Sequence, residues 1–296
     1  MAFTPKGIIP AMVTPFDKEG KVNKAVLRRL VNFLIEAGVH GLFPVGSQGE
    51  FYALDREEKK KVMEIVVDEA NKKVPVYAGT GAITTKESIY LTRMAEDIGV
   101  DAVSVITPFF ISPDQNELYE HYLAIARSTN LPVLLYNNPG RTGVNLSADL
   151  VARLSEIDNI VGIKDSSGDM TLTSEYIRRT DDSFSVLSGR DTLIFGTLLH
   201  GGKGSIAATA NVVPKLVVEI YEAYMRGDIE RARQAQTELV PLRLAFNLGS
   251  FPVVIKDALK LMGIDAGSTR APVKSLDEDK KEKLKKVLQQ MGLLRN

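Results

Sequence analysis

The chain has 296 residues, of which 44% are hydrophobic and 25% are charged, as is ordinary for a folded globular protein. Lysine plus arginine balances aspartate plus glutamate at 37 each, so no net field attracts nucleic acid or an anionic membrane. The lack of cysteine excludes disulfides, thiolate nucleophiles and cysteine-based metal sites. We expect a protein that acts on small molecules or associates with copies of itself.

The N-terminal segment predicts neither a signal peptide nor a membrane anchor. Pro5, Pro10 and Pro15 interrupt any apolar core of a signal sequence. No apolar run reaches the roughly 18 residues that a membrane helix requires. The expected location is therefore the cytoplasm.

Short apolar segments rich in β-branched residues recur along the chain and predict parallel strands that are buried on both faces. Their ranges are 7–16, 41–47, 74–81, 102–109, 132–139, 160–167, 184–191 and 203–210. Helical patterns alternate with them, for example over 55–73, with Asp55 as the predicted N-cap, and over 116–128.

Eight such strand-then-helix units predict a (β/α)8 TIM barrel over residues 1–226. Residues 227–296 read as helices only, and we predict that they pack on the barrel as a C-terminal helical appendage. The competing fold is a doubly wound parallel sheet, which binds a ligand at one switch in strand order. Special residues follow almost every predicted strand here, which favours the barrel.

In a barrel, functional side chains stand at the carboxyl ends of the strands. The predicted strand at 41–47 is followed by Ser47 and Gln48, between Gly46 and Gly49. This turn offers backbone N–H groups and a hydroxyl to an anion, or it serves only as a tight turn. It lacks the lysine and the spacing of a P-loop.

The predicted strand at 132–139 contains Tyr136 and continues to Arg141. A tyrosine at a strand end can shuttle protons, and a guanidinium can clamp a carboxylate at two points. The alternatives are a rim tyrosine that packs on its neighbours and a surface arginine.

The predicted strand at 160–167 carries Lys164 after apolar residues. If its side chain points into the barrel, loss of solvation favours the neutral amine, which attacks carbonyl carbons. The alternative is a lysine that extends past the strand end to water.

The three histidines, His40, His121 and His200, share no metal-ligand spacing, and no acidic cluster accompanies them. We predict that all three are structural and that the chain has no metal site.

Four motifs together resemble the dihydrodipicolinate synthase and N-acetylneuraminate lyase family. They are GSQGE at 46–50, YNNPGRTG at 136–143, GIKDSSGD at 162–169 and SGRD at 188–191. The resemblance runs from about Gly7 to the C-terminus. It implies a homotetrameric barrel enzyme, a dimer of dimers, that binds pyruvate as a Schiff base and needs no cofactor.

By position, the resemblance implies that Lys164 forms the imine and that Tyr136 relays protons to and from it. The hydroxyl of Ser47 stands at a family hydroxyl position, and its N–H with that of Gln48 would hold the pyruvate carboxylate. Arg141 would bind the carboxylate of the second substrate, as in the synthases.

The resemblance also implies that Gly189 and Ile206 line the lysine pocket through their backbones. The sequence departs from the family pattern in three ways. Phe110 replaces a tyrosine that reaches a neighbouring subunit, Gln48 replaces a hydroxyl residue, and Ala207-Ala208 stand where sialic acid lyases have serine. Gln48, Asp191 and Thr192 either bind hydroxyls of a shorter polyol-like substrate, such as a 2-keto-3-deoxy sugar acid, or have structural roles in their loops.

The sequence therefore predicts a class I Schiff-base lyase or aldolase that condenses pyruvate, a 2-oxo acid, with an aldehyde such as aspartate semialdehyde. The alternatives are a 2-keto-3-deoxy sugar acid aldolase, a related 2-oxo acid dehydratase or deaminase, and a non-catalytic pyruvate-binding protein. Nucleic acids and membranes are not expected as partners.

Overall fold

The structure, a computed structural model, describes residues 3–294 and has an α/β fold. The strands of its sheet are β1 (Gly7–Pro10), β2 (Tyr77–Gly79), β3 (Ala102–Ile106), β4 (Val133–Asn137), β5 (Ile160–Asp165), β6 (Ser185–Ser188) and β7 (Gly204–Ala207). All pairings between these strands are parallel, and their order across the sheet is β1-β7-β6-β5-β4-β3-β2.

Helices follow the strands and complete the chain. They are α1 (Lys24–Glu36), α2 (Arg56–Ala70), α3 (Thr85–Ile98), α4 (Gln115–Ala126), α5 (Pro139–Thr142), α6 (Ala148–Ser155), α7 (Met170–Arg179), α8 (Ile194–Leu199), α9 (Pro214–Met225), α10 (Ile229–Ala245), α11 (Val253–Leu261) and α12 (Glu278–Gln290). Asp55 caps α2 through a capping box with Glu58, which confirms the predicted N-cap.

Residues 42–43 run between the two edge strands, β1 and β2. Phe43 N donates to Pro10 O at 3.0 Å, and Tyr77 N donates to Leu42 O at 2.8 Å. The prediction of a full strand over 41–47 was wrong, because only isolated bridges form there. Pro44 has no N–H to donate, and Val45 turns to φ +57°, which is incompatible with an extended strand.

Consecutive strand residues pack on opposite faces of the sheet, as the pleat requires. Ile8 belongs to the large hydrophobic cluster that includes helix residues, whereas Ile9 belongs to a small second cluster. That small cluster comprises Ile9, Ala11, Phe43, Tyr77, Ala102, Leu134, Leu187 and Ile206. Because its members come from across the sheet and contain no helix residue, it forms the inner core.

The C-terminal helices begin after the turn that ends α9, near the predicted boundary at 226–227. Helix α10 packs along α9. Its Gln236 side chain contacts Asp191 and Phe195, which follow β6. Gln236 Nε2 donates to Asp191 O at 3.0 Å, and Gln236 Oε1 accepts from Phe195 N at 3.0 Å. Helix α10 therefore contacts the part of the chain that follows β6.

Within residues 3–294, no helix taken singly has both the length and the apolar composition needed to cross a membrane. One pair, Ile229–Leu248 and Val253–Leu261, meets these criteria only when joined across a bend of 118°.

Candidate active site

A cleft of about 430 Å³ opens where the parallel strands end. Seven of the eight residues predicted for the site line it, namely Ser47, Gln48, Tyr136, Arg141, Lys164, Gly189 and Ile206. A wider groove of about 1050 Å³ lies between α2 and α3, but surface side chains of these two helices line it. The cleft is therefore the candidate site, since it collects side chains from distant strands.

Lys164 lies near the end of β5, and its side chain is directed towards the inner core. The preceding residue, Ile163, packs in the large outer cluster, and alternation along the strand turns Lys164 the other way. Its Nζ lies 4.1 Å from the centre of the Tyr136 ring and 5.2 Å from that of Phe43. The residue is 4% exposed and forms no ion pair within residues 3–294.

Tyr136 is in register with Lys164 on the adjacent strand β4, which brings the phenol beside the amine. Its hydroxyl accepts a hydrogen bond from Asn138 Nδ2 at 2.9 Å. Burial raises the pKa of the phenol, but the charge of Lys164 and hydrogen bonds with Ser47, Ser166 and Asn138 outweigh it. The net effect is a pKa below the usual value of tyrosine, which suits a group that gives and takes protons.

The loop that carries Ser47 and Gln48 is held in a strained conformation. Val45 and Glu50, on either side of it, have φ values of +57° and +56°. Such values are rare for a β-branched residue and persist only where surrounding contacts enforce them. The side-chain Oε1 of Gln48 is buried and has no hydrogen-bond partner among the residues that the structure describes.

Gly189 lies against the lysine side chain, and this contact explains why the position is a glycine. A Cβ at this position would overlap the Ser166 hydroxyl and lie 3.1 Å from Lys164 Cε. Ile206, on β7, is 1% exposed and belongs to the inner core beneath the cleft. Both residues thus bound the space around the amine.

Arg141 is exposed at the rim of the cleft, within the short helix α5. Its guanidinium carbon lies 4.2 Å from the centre of the Phe251 ring, close enough for a cation–π interaction. Stacking of this kind leaves the N–H groups in the guanidinium plane directed outwards, where they can bind an anion.

Asp191 is the predicted site residue that does not line the cleft. Its carboxylate is 1% exposed and accepts hydrogen bonds from Thr209 N at 2.6 Å and Ala208 N at 3.3 Å. Because the backbone of the following turn occupies this carboxylate, the geometry favours its structural role in the loop over substrate binding.

Five further polar residues line the cleft and were not among the predicted site residues, namely Asn138, Ser166, Arg190, Arg243 and Asn247. Asn138 and Ser166 contact the Tyr136 hydroxyl, while Arg190 and Arg243 stand at the mouth. The first three lie within the motifs quoted above, at or just beyond strand ends, and this position in the sequence could have identified them as candidate site residues. Arg243 comes from α10, and no local pattern connects it with the strands of the sheet.

The histidines contact other parts of the molecule. His40 Nε2 lies 2.8 Å from Glu222 Oε1, His121 Nδ1 lies 2.9 Å from Thr85 Oγ1, and His200 Nδ1 lies 2.9 Å from Ser174 Oγ. Burial lowers the pKa of His121 to about 4, which keeps this imidazole neutral at physiological pH.

The arrangement combines an unpaired buried amine, a phenol of lowered pKa and a rim of cationic groups. An amine without a carboxylate partner is available to add to a carbonyl carbon. A phenol 4.1 Å from it, measured at the ring centre, can exchange protons with the resulting adduct. The chemistry that this site can perform is imine formation with an anionic carbonyl compound.

Comparison with known proteins gives one consistent result. A model of the dihydrodipicolinate synthetase family matches residues 4–291. The chain is 44% identical to 4-hydroxy-tetrahydrodipicolinate synthase of Methanopyrus kandleri, over 99% of both chains. It is also 44% identical to the protein of the same name from Thermodesulfovibrio yellowstonii, over 98% of this chain and 99% of that one.

Solved structures agree with these relatives. Dihydrodipicolinate synthase DapA-2 of Bacillus anthracis superposes with a TM-score of 0.94 at 40% identity, over 98% of this chain and 99% of that one. The chloride-inhibited dihydrodipicolinate synthase of Acinetobacter baumannii, in complex with pyruvate, gives a TM-score of 0.95 at 39% identity. That match also covers 98% of this chain and 99% of the other.

Proposed function

The chain belongs to the dihydrodipicolinate synthetase family, and on this premise we propose that it is a class I lyase that condenses pyruvate with aspartate semialdehyde. The product of such a reaction is 4-hydroxy-tetrahydrodipicolinate, after which its relatives are named. Lys164 is the residue that forms the Schiff base. Tyr136 and Ser47 serve it as proton-transfer groups, and neither a metal nor an organic cofactor takes part.

One observation supports this proposal more strongly than any other. Lys164 Nζ is buried beside the Tyr136 ring at 4.1 Å and has no carboxylate partner in the described chain. A lysine with only a structural role would gain from an ion pair or from reaching water. A buried unpaired amine is instead the arrangement that a Schiff-base enzyme requires.

The steps follow from the chemistry of imines. The neutral amine of Lys164 adds to the keto carbon of pyruvate, and loss of water from the carbinolamine gives an iminium ion. Tyr136 takes the proton of the attacking amine and returns one to the departing hydroxyl. The Tyr136 phenolate then takes a proton from the methyl group of pyruvate, and the iminium nitrogen accepts the electron pair that this proton leaves behind.

The enamine formed in this way attacks the aldehyde carbon of the second substrate, and a new carbon–carbon bond results. A proton from Tyr136 neutralises the alkoxide. The amino group of aspartate semialdehyde can then add to the iminium carbon and displace Lys164, which closes the ring and regenerates the free amine. Fixed positions of both substrates supply much of the rate.

We assign the remaining binding roles to groups that line the cleft. The backbone N–H groups of Ser47 and Gln48 bind the pyruvate carboxylate, while Arg141 binds the carboxylate of the aldehyde substrate at the rim. Gly189 and Ile206 bound the pocket of the amine. For Asp191 we propose only the support of the loop beside β7, because its carboxylate already accepts two backbone hydrogen bonds.

We also propose that residues 42–43 act as the missing strand, so that the sheet closes as a (β/α)8 barrel with residues 227–296 as packed helices. Hydrogen bonds from this segment to both edge strands support closure of the sheet.

Phe110 is 94% exposed in the single chain, and Ile111 beside it is 45% exposed. These exposed apolar side chains support a homotetramer, and light scattering measures the oligomeric state. The cysteine-free composition supports a cytoplasmic location.

The condensation is tested by incubating the purified enzyme with pyruvate and aspartate semialdehyde and measuring loss of both substrates. We expect turnover that requires both compounds and that disappears in Lys164→Ala. Failure of the folded wild-type enzyme to consume the pair would reject aspartate semialdehyde as the partner.

A second candidate activity is cleavage of a 2-keto-3-deoxy sugar acid to pyruvate and a hydroxyaldehyde. The specific observation in its favour is the buried Gln48 Oε1, which lacks a hydrogen-bond partner in the described chain and could accept one from a substrate hydroxyl. Screening sugar-derived 2-oxo acids for release of pyruvate decides between the two. Loss of cleavage in Gln48→Ala, with condensation retained, would assign both activities to the cleft.

A further inference from the structure

A buried hydrogen bond joins the two residues that directly follow Tyr136 and Lys164. Those two are in register on β4 and β5, and the next residues, Asn137 and Asp165, are in register as well. Asn137 Nδ2 donates to Asp165 Oδ1 at 3.2 Å, and the two residues are 0% and 3% exposed. The function proposed above gives neither of them a role, although both lie in the motifs quoted from the sequence.

The pleat of the strands places this second pair on the opposite face of the sheet, because successive side chains alternate between the two faces. Ile163 packs in the large outer cluster, so Lys164 points to the inner core and Asp165 points back towards the helices. Tyr136 and Asn137 alternate in the same way on β4. The hydrogen bond from Asn137 to Asp165 therefore ties the two strands together behind the amine and the phenol.

The carboxylate of Asp165 is fully occupied by donors. Besides Asn137, its Oδ1 accepts from Ser167 N at 3.0 Å, while its Oδ2 accepts from Ser167 Oγ at 2.9 Å and from Thr173 Oγ1 at 2.6 Å. A carboxylate has about four lone-pair sites, and four donors use them. Although Asp165 directly follows Lys164, no ion pair joins the two within residues 3–294. These donors thus keep the carboxylate nearest in sequence away from the amine.

Asn137 is fixed in turn by the loop that follows β4. Its Oδ1 accepts from Leu146 N at 3.1 Å, and its Nδ2 lies 2.8 Å from Asn145 Oδ1 and 3.2 Å from the Tyr176 hydroxyl. The Tyr176 hydroxyl also donates to Leu146 O at 2.5 Å. Because both polar atoms of Asn137 are hydrogen-bonded, any movement of this side chain would break several buried hydrogen bonds at once.

We propose that Asn137 and Asp165 are positioning residues, whose hydrogen bond holds Lys164 Nζ and the Tyr136 phenol at the separation that imine formation needs. This inference rests on the Schiff-base function of Lys164 proposed above. Neither positioning residue lines the cleft, so each acts through the backbone of the residue that it follows. Because the chemical step depends steeply on the placement of the reacting groups, a small change in the pairing of β4 and β5 slows it.

The variant Asn137→Leu removes this hydrogen bond with a side chain of similar size. We expect kcat for the condensation to fall about tenfold to a hundredfold, because misplacement by about 1 Å has effects of this order. The KM for pyruvate should change little, since the backbone N–H groups of Ser47 and Gln48 bind its carboxylate. Initial rates at varied pyruvate concentration measure both. Asn137→Ser, whose hydroxyl is too short to reach Asp165, makes the same test where Asn137→Leu does not fold.

The pH profile is a readout that a loss of stability alone would not move. Burial raises the pKa of Tyr136, and the charge of Lys164 is the largest of the influences that lower it. A phenol held less closely to that charge has a higher pKa. The ascending limb of kcat/KM against pH should therefore move to higher pH in Asn137→Leu.

Two further variants at the same carboxylate are matched controls. Thr173→Val removes the hydrogen bond from α7 but leaves the one between the strands, so stability to urea should fall while kcat and the pH profile are retained. Asp165→Asn keeps Oδ1 for Asn137 Nδ2 and Ser167 N, and its amide can donate to the hydroxyls that face Oδ2. This conservative variant should therefore retain most of kcat.

The outcomes separate this inference from the proposed function. If borohydride traps pyruvate on the wild-type enzyme but a folded Asn137 variant keeps the wild-type kcat and pH profile, the positioning role is rejected and the Schiff-base function stands. Equal losses of kcat in Asn137→Leu and Thr173→Val, or failure of both Asn137 variants to fold, would assign the network to stability alone. A loss in Asp165→Asn as large as in Asn137→Leu would reject the role of the hydrogen bond. If pyruvate is not trapped at all, both proposals fail.

Discussion

Lys256 Nζ lies 2.6 Å from Glu50 Oε1, and the two side chains are 1% and 0% exposed. Glu50 ends the strained loop that carries Ser47 and Gln48, while Lys256 belongs to α11 in the C-terminal region. Glu50 Oε2 also accepts the backbone N–H of Arg270 at 2.9 Å. The C-terminal segment therefore fixes the loop of the candidate site through one buried carboxylate.

We predict that Lys256→Met destabilises the protein by about 3–5 kcal/mol, because it leaves the carboxylate of Glu50 buried without its partner. Urea denaturation followed by circular dichroism measures this free energy of unfolding. The control is Lys260→Met, on the same helix, whose partner Asp265 is exposed, and about 0.5 kcal/mol or less is expected there. Equal effects of the two variants would show that the buried pair has no special role.

The lowered pKa of Tyr136 leads to a prediction about pH. Asn138 donates one of the hydrogen bonds that lower this pKa, so Asn138→Ala should raise it. A higher pKa requires a higher pH for the same ionised fraction, and the ascending limb of kcat/KM against pH should move to higher pH. Asn130→Ala, on the surface beside Glu96, should leave the profile in place.

Removal of the phenol itself gives the limiting case of the same prediction. Tyr136→Phe should lower kcat by about 10²- to 10⁴-fold, the usual contribution of a positioned proton-transfer group. An unchanged kcat in Tyr136→Phe, or an Asn138→Ala profile that moves to lower pH, would contradict the assigned relay.

Gly189 is expected to tolerate no side chain. In Gly189→Ala the new methyl group would displace the Ser166 hydroxyl and press on Lys164 Cε, so trapping of pyruvate should be largely lost. Gly196→Ala is the control, because its Cβ would meet only Met170 atoms at 3.8 and 3.9 Å. A Gly189→Ala enzyme with normal trapping would mean that the lysine pocket lies elsewhere.

Much of this fold could be predicted from local pattern. Apolar β-branched runs marked all seven strands of the sheet, and Asp55 marked the start of α2. The exception was the run at 41–47, where composition indicated a strand but Pro44 and the left-handed Val45 prevented regular pairing. Composition reports how apolar a segment is, whereas the backbone conformation of Val45 depends on tertiary contacts.

The sequence indicated which residues lie together where they follow a strand, but not where tertiary contacts decide the position of a side chain. Lys164 and Tyr136 meet because parallel strands align them in register, which the motif order already suggested. The direction of the Asp191 side chain depends on a turn 18 residues later, whose N–H groups it binds. Arg243 reaches the cleft only through the packing of α10, and no spacing along the chain encodes that.

The most direct test of the central claim is reductive trapping on Lys164. The enzyme is incubated with pyruvate and borohydride, and intact mass and peptide mapping then locate any adduct. We predict one reduced pyruvate unit per chain, attached to Lys164 and absent from a folded Lys164→Ala variant. A wild-type enzyme that forms no adduct, or a Lys164→Ala variant that still forms one, would contradict the account.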